Sequence, residues 1–363
     1  MAVRTAAPTT GWLLRGKDGR LTAYAPAQDG LTRWTETRPG GPGWSGPQHL
    51  AMPGLEPYLS IAQTPEGYVY LTGLRRREHE DGRAETDVVY TTQFQTGRAV
   101  TNWRTIGTPY GRDWERADQM GAPTAVVDAE GLFIALRNAG NGLSARKQDA
   151  KGIWGPWLDL HGSRLLDTVS AAATGDGRAE LLAVSSEVVL RWRQEEPGGE
   201  FVRTLNTPAK PVPGSLASVS LGDGRVAHFW RDAADSALLA QYPEAGQEGA
   251  EAPAPVPLAS PDPGGSGPVA ALRAAVDGRL CLVLAQRAAS GRVAVAVVPD
   301  GQDDPAAVSW AEVGTEPCAG APALALDGDE RVVLAFVAEG GGLRVARQRA
   351  AGAELEFGEW ERA

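Results

Sequence analysis

The residues whose types and spacing suit chemistry fall into three sets. The densest charge runs from Leu74 to Thr86, which reads as the loop between the second and third strands of its repeat, where His79 lies between Glu78 and Glu80 beside Arg75, Arg76 and Arg77. A second polar stretch, Thr108 to Gly121, carries Tyr110, Arg112 and Trp114. An imidazole among carboxylates, with an aromatic ring set in a polar loop, is the equipment of a small-molecule pocket capable of general acid–base work. The same charges also suit a solvated cluster that pairs with itself. The second set is an arginine near the end of the second apolar run of a repeat, at Arg15, Arg75, Arg137, Arg231 and Arg287. Facing a common axis, these guanidiniums would fork onto a carboxylate or phosphate; paired locally, as Arg15 with Asp18 or Arg231 with Asp235, they would hold only the surface together. The third set is Glu56 and Asp167, each just ahead of an apolar run. With His79 they are the candidate catalytic residues, as acid and base if they face each other and as solvated strand-end charges if they do not.

The templates of familiar enzymes are missing. There is no Gly-x-Ser-x-Gly elbow, no phosphate loop, no pair of histidines at metal-ligand spacing and no sialidase-type Asp-box, so neither a metal nor a cofactor is expected. His228 sits beside Phe229 inside an apolar run and reads as a packed core histidine. Cys281 and Cys318 are the only cysteines, in different repeats, and read as buried free thiols.

What must position these residues is a phrase that returns along the whole chain: an acidic residue, a glycine, often an arginine, then an apolar run. It reads Glu66-Gly67-Tyr68-Val69, Glu130-Gly131-Leu132-Phe133, Asp176-Gly177-Arg178-Ala179, Asp223-Gly224-Arg225-Val226, Asp277-Gly278-Arg279-Leu280 and Asp329-Glu330-Arg331-Val332, with Gly11-Trp12-Leu13-Leu14 in the same place at the front. Seven copies at roughly fifty-residue spacing predict an all-β, seven-bladed β-propeller with four antiparallel strands per blade, occupying 1–363 as a single domain. The third copy shows the four strands most clearly: Pro123 to Val127, Leu132 to Leu136, Leu143 to Gln148 and Trp154 to Leu160, separated by Gly- and Asn-rich turns. Small residues, among them Ser60, Thr124, Ser170, Ser218, Ser220, Ala270 and Ala323, occupy first strands, where blades crowd round an axis. Trp103, Trp157, Trp310 and Trp360 share one register at the fourth strand, which predicts packing between blades. The Pro-rich stretch from Glu251 to Gly267 reads as a long loop, since the repeat resumes after it.

The stretch Leu13 to Tyr24, followed by Trp44-Ser45-Gly46-Pro47, resembles a repeat of the seven-bladed propeller lectins of the PLL and tectonin-like type, and Ile153-Trp154-Gly155-Pro156-Trp157 resembles their Trp-x-x-Trp strand. The resemblance implies binding of fucose or other, often methylated, sugars in shallow sites between blades, with Trp154 and Trp157 among the ligand-binding residues. Val100, Ala307 and Phe357 stand where Trp154 does in other repeats, so the aromatic pair is not general.

Composition narrows the partners. The net charge is −10, and the 31 arginines against four lysines, with abundant Ala, Gly and Pro, fit a GC-rich coding bias rather than a basic nucleic-acid surface. Met1 to Pro8 lacks the apolar stretch of a secretory signal and no run approaches membrane-spanning length, so a soluble cytoplasmic protein is expected, with no nucleic-acid or membrane partner. The leading expectation is a lectin-like module for a small-molecule or glycan ligand, bound by Trp154, Trp157, Arg15, Arg75, Arg137, Tyr110, Arg112 and Trp114. The alternatives are a cyclase, lyase or hydrolase of small molecules on the loop-rich face, and a protein-interaction scaffold. Oligomeric state is left open.

Overall fold

The recurring phrase is a tight turn, and its residue types follow from its geometry. Gly19, Gly67, Gly177, Gly224 and Gly278 sit at φ between 69° and 87°, a region that favours glycine. In the last copy Glu330 takes φ 60° instead. The acid at the head of the turn fastens the arginine that leaves it: Asp18 Oδ2 lies 2.8 Å from Arg20 Nε, and Asp176 Oδ2 lies 3.0 Å from Arg178 Nε.

The computed structural model describes residues 8–166, 168–204, 206–222, 224–242, 253–258, 265–299 and 308–363. Within them the chain forms seven antiparallel sheets of four strands in sequence order, at 13–51, 60–107, 124–161, 169–203, 217–258, 266–313 and 323–362. Thr207–Pro208 adds a short fifth strand to the fourth sheet. This is the seven-bladed propeller that the repeats predict.

Its core lies between blades, not within them. Buried apolar residues gather in seven clusters, each shared by two consecutive blades. Alternate residues of a strand point to opposite neighbours: Ala179, Leu181 and Ala183 pack on blade three, while Leu182 and Val184 pack on blade five. Trp103, Trp157, Trp310 and Trp360 are each half-buried against the cluster that joins their blade to the one before. The ring closes between blades seven and one through side chains: Trp12 Nε1 donates to Ala321 O at 3.1 Å, and Arg347 Nη2 donates to the buried Glu36 Oε1 at 2.6 Å. First strands enclose an axial cavity of about 260 Å³, walled by Ser60, Thr124, Ser170, Ser218, Ala270 and Ala323.

Three expectations are corrected. The first copy of the phrase is Asp18-Gly19-Arg20-Leu21: Leu13–Arg15 is the innermost strand of blade one and Leu21–Ala27 its second. A short apolar run before a glycine turn looks alike whether it is a first or a second strand, which is why the front copy slips by one strand. The charged stretch in blade two is not a loop but a long hairpin, Val69–Glu78 paired with Ala84–Gln93 across a turn at 79–83. Part of the Pro-rich stretch, Val256–Leu258, is the fourth strand of blade five. Asp167 and Ala307 lie outside the described residues.

Candidate functional site

Strand direction sorts the candidates onto two faces of the ring. One carries the turns from first to second and from third to fourth strands; the other carries the second-to-third turns and the connections between blades. Arg137, Arg231 and Arg287 end second strands on the connection face, whereas Arg15 ends a first strand and lies on the opposite one. The five arginines therefore form no single ring. Arg15 donates to Asp327 O at 2.8 Å and pairs with Glu330 of blade seven; Arg75 pairs with Asp87 at 2.8 Å; Arg137 bonds Asn141 Oδ1 at 3.1 Å. Arg231 is fully buried, bonded to Gly267 O at 2.9 Å and to Gln286, and burial pulls its guanidinium down to about 10. Arg287 donates to Cys318 O at 2.9 Å and pairs with Glu339. These guanidiniums tie strand ends to their own or the neighbouring blade.

On the connection face the two polar stretches meet, as their shared face requires. His79 lies against Trp114, ring centroids 6.1 Å apart, and 3.3 Å from Glu85. Trp114 opens a one-turn helix, Trp114–Ala117, capped by Asp113. Tyr110 is pinned by the Ala139 N–H at 2.5 Å and lies under Arg116, with Arg112 exposed beside it. Arg76 pairs with Asp118 at 3.4 Å, and Arg77 pairs with Glu85 and Asp87, so the charges largely neutralise one another. Glu56 is half-buried where blade one passes into blade two, its amide bonded to Leu74 O.

Trp154 and Trp157 are on the opposite face, in the turn before the fourth strand of blade three. Both are half-buried against the cluster between blades two and three. The guanidinium of Arg146 stands 5.9 Å from one ring centroid and 6.0 Å from the other, and Tyr90 meets Trp154 edge-on at 5.5 Å. Arg146 is itself fixed to Gly155 O at 2.7 Å and to Ile106 O in blade two, and burial lowers its pKa. Trp154 thus has the surroundings of Trp157, a packing tryptophan, despite its different recurrence.

The same face holds an open groove one interface away, between blades one and two. Its volume is about 590 Å³, within the range of roughly 300–1,000 Å³ usual for small-ligand sites. Blade one contributes Lys17, Asp18 and Arg20; blade two contributes Glu66, Gly67, Tyr68, Phe94, Gln95, Thr96 and Arg98. Among the described Trp, Tyr and Phe side chains, only Tyr68 and Phe94 are exposed, at 37% and 54%; the rest are buried or half-buried. They touch edge to face, with centroids 5.1 Å apart.

This groove exists because blade two breaks the repeat. Where Tyr68 stands, blades one, four and seven carry Arg20, Arg178 and Arg331, each folded back onto the acid of its own turn. With no such arginine, Tyr68 leaves its turn outward and meets Phe94. Gly67 is required twice over, by its φ of 84° and because a Cβ there would lie 3.2 Å from the Lys17 backbone nitrogen, where the two blades' turns touch. The floor is a buried network: Gln93 Nε2 donates to Arg98 O at 2.9 Å, Arg33 Nη1 donates to the same carbonyl at 2.5 Å, and the Tyr24 hydroxyl bonds Gln93 Oε1. Arg20 is committed, to Asp18, to Thr96 O at 3.1 Å and more weakly to Glu36 O. Although burial pushes the Asp18 carboxyl up, its bonds to Arg20 hold it below the usual carboxylate range; the Glu66 carboxyl is lowered by its own backbone N–H and by Thr64.

Neither Tyr68 nor Phe94 stands out in the sequence by motif. The signal that finds them is departure: Glu66-Gly67-Tyr68 is the copy whose arginine has become an aromatic ring, and Phe94 interrupts a run of Thr and Gln. Gln93 has its own signal. Glu36, Gln148, Gln194 and Gln348 close the third strands of other blades, and all five are buried. In Gln194, Glu36 and Gln348 the side-chain oxygen accepts from the first amide of the second strand, from Ala179 at 2.7 Å, Leu21 at 2.9 Å and Val332 at 3.1 Å, whereas Gln93 Oε1 takes the Tyr24 hydroxyl.

No protein-family model and no curated protein sequence matches this chain. Among solved structures, the BP39L lectin from Burkholderia pseudomallei matches over 98% of both chains at 14% identity, with a TM-score of 0.66. AofleA from Arthrobotrys oligospora matches over 84% of this chain and 86% of its own at 11% identity, TM-score 0.53. A protein of unknown function from Dyadobacter fermentans matches over 95% of both chains at 14% identity, TM-score 0.53. At these identities the likeness is one of fold, and one of the three proteins is named a lectin.

Proposed function

We propose that the groove between blades one and two binds a sugar or sugar-like ligand, and that the protein is a lectin-like module of the PLL and tectonin-like kind with one such site. A single observation carries the reading: the only two exposed Trp, Tyr or Phe rings among the described residues touch each other in a groove between blades, among Lys17, Glu66, Gln95 and Arg98. A sugar ring presents an apolar C–H face and a rim of hydroxyls. Tyr68 and Phe94 meet the first need, and the carboxylate, amide and cationic side chains meet the second. The likeness in fold to a protein named a lectin supports the same reading. In blades one, four and seven the arginine of the turn folds back over the corresponding place, and among the described Trp, Tyr and Phe side chains only Tyr68 and Phe94 are exposed, so binding at one site per chain is expected. A glycan array followed by calorimetric titration of the best ligand tests it. A stoichiometry near one, with binding lost in Tyr68→Ala, is the expected result; failure to bind any glycan at millimolar concentration overturns it.

A further inference from the structure

The joint between blades four and five departs from the repeat in a different way. Where first and second strands pair at mid-depth, five blades place two apolar residues opposite each other: Leu13 and Ala23, Ile61 and Leu71, Ala125 and Ile134, Ala171 and Leu181, Leu324 and Leu334. Blade five places Ser218 opposite His228. The imidazole is wholly buried, with Nδ1 2.9 Å from Ser218 Oγ and Nε2 3.1 Å from Glu180 Oε2 of blade four. Glu180 is gripped by both prongs of Arg191, each at 2.9 Å.

Proton positions follow from this geometry. Burial alone would raise the Glu180 carboxyl, but His228 and Arg191 overcome it and hold the group at about 2. An ionised carboxylate only accepts. Nε2 of His228 therefore carries the hydrogen, Nδ1 presents its lone pair, and the Ser218 hydroxyl donates to it. Burial, opposed by Glu180, keeps the imidazole below its ordinary pKa, so it stands as a neutral base near pH 7. Ser218 lies on the wall of the axial cavity. A hydroxyl bonded to a base, the base oriented by a carboxylate, and the hydroxyl at a cavity make a nucleophile relay, here with the two ring nitrogens exchanged relative to the serine-protease order.

We propose that Ser218 is a nucleophile toward short-chain acyl esters, with His228 its base and Glu180 a positioning residue. Ser218 passes its proton to His228 Nδ1 as Oγ bonds to the acyl carbon, and the imidazolium returns that proton to the alkoxide as the ester C–O bond breaks. Water then adds to the acyl carbon, giving its proton to His228, and the proton passes to Ser218 Oγ as the acyl–serine bond breaks. The net products are an alcohol and a carboxylic acid. The cavity of about 260 Å³, a little under the roughly 300–1,000 Å³ usual for ligand pockets, favours small esters and is separate from the groove of blades one and two.

The test exposes the full chain to p-nitrophenyl acetate and, separately, to phenylmethanesulfonyl fluoride, and locates adducts by peptide mass spectrometry. One adduct at Ser218 is expected, absent from Ser218→Ala and retained in Ser220→Ala, with acylation about tenfold slower or worse in Glu180→Gln. A folded wild-type protein left unmodified at Ser218, or a Ser218→Ala variant that releases p-nitrophenol at the wild-type rate, overturns the proposal and leaves the cluster as a structural tie between blades. Should Glu180→Gln fail to fold by circular dichroism, the comparison of Ser218→Ala with Ser220→Ala decides.

Discussion

Trp154 and Trp157 of blade three and Tyr68 and Phe94 of blade two lie on the same face of the ring, one interface apart, and differ in everything their neighbours impose. The tryptophans are larger and better suited to stacking, yet Arg146 stands against both rings and Tyr90 takes an edge of one. The smaller pair keeps its surface open, because the arginine that closes other turns is missing. Residue type alone is therefore a poor guide to a stacking site. Buried indole N–H groups do not separate the two roles either: Trp34, Trp44, Trp154, Trp157, Trp230 and Trp310 share that condition, which makes it a mark of packing here.

The sharpest way to break this comparison is truncation of the tryptophans. Trp154→Ala and Trp157→Ala are each expected to lose about 3 kcal/mol of stability by urea unfolding, the range for deleting a large packed aromatic. A loss under about 1 kcal/mol for Trp154 alone would return it to the role of an open ligand surface. Next in size is Arg146→Met, expected to cost about 2 kcal/mol by the same measurement, since Gly155 O and Ile106 O lose their charged donor across the interface. A silent Arg146→Met would mean that the stack does not bind blades two and three together.

Tyr68→Arg sharpens the other side. It restores the repeat's own phrase, so the melting temperature should move little while sugar affinity drops about tenfold or more, near 1.4 kcal/mol. Equal loss of stability and binding would count Tyr68 as core. The smallest effect expected is of pH on binding. Because the Asp18 and Glu66 carboxyls both sit below their ordinary values and no histidine lines the groove, both stay ionised down to about pH 5, and affinity should change less than about twofold between pH 5 and 8. The charge would be lost only as pH falls through those lowered values. Binding that disappears by about pH 6 in calorimetric titration would place the ligand against a histidine elsewhere.

Much of the architecture was legible because repetition is a local property. Glycine turns, alternating apolar runs and a tryptophan in one register recur whether or not the blades have met, and they recur because each blade needs the same two buried faces. The misread first copy shows the limit: Leu13–Arg15 and Leu21–Ala27 are both apolar runs beside a glycine, and only pairing tells first strand from second. The charged hairpin of blade two shows another. Arg75, Arg77, Glu85 and Asp87 read as a loop because they are polar, but strand pairing sets them side by side, where they neutralise each other.

The sequence by itself determined the number of blades, their order and the residues that fill the joints, since these follow from periodicity and side-chain size. What only the tertiary structure decided is which side chains remain open and which polar groups meet. Tyr68 and Phe94 are 26 residues apart and touch; Glu180 and His228 are 48 apart and hydrogen-bond across a joint. Exposure and contact between distant residues belong to the closed ring, because each surface of a blade is finished by its neighbour.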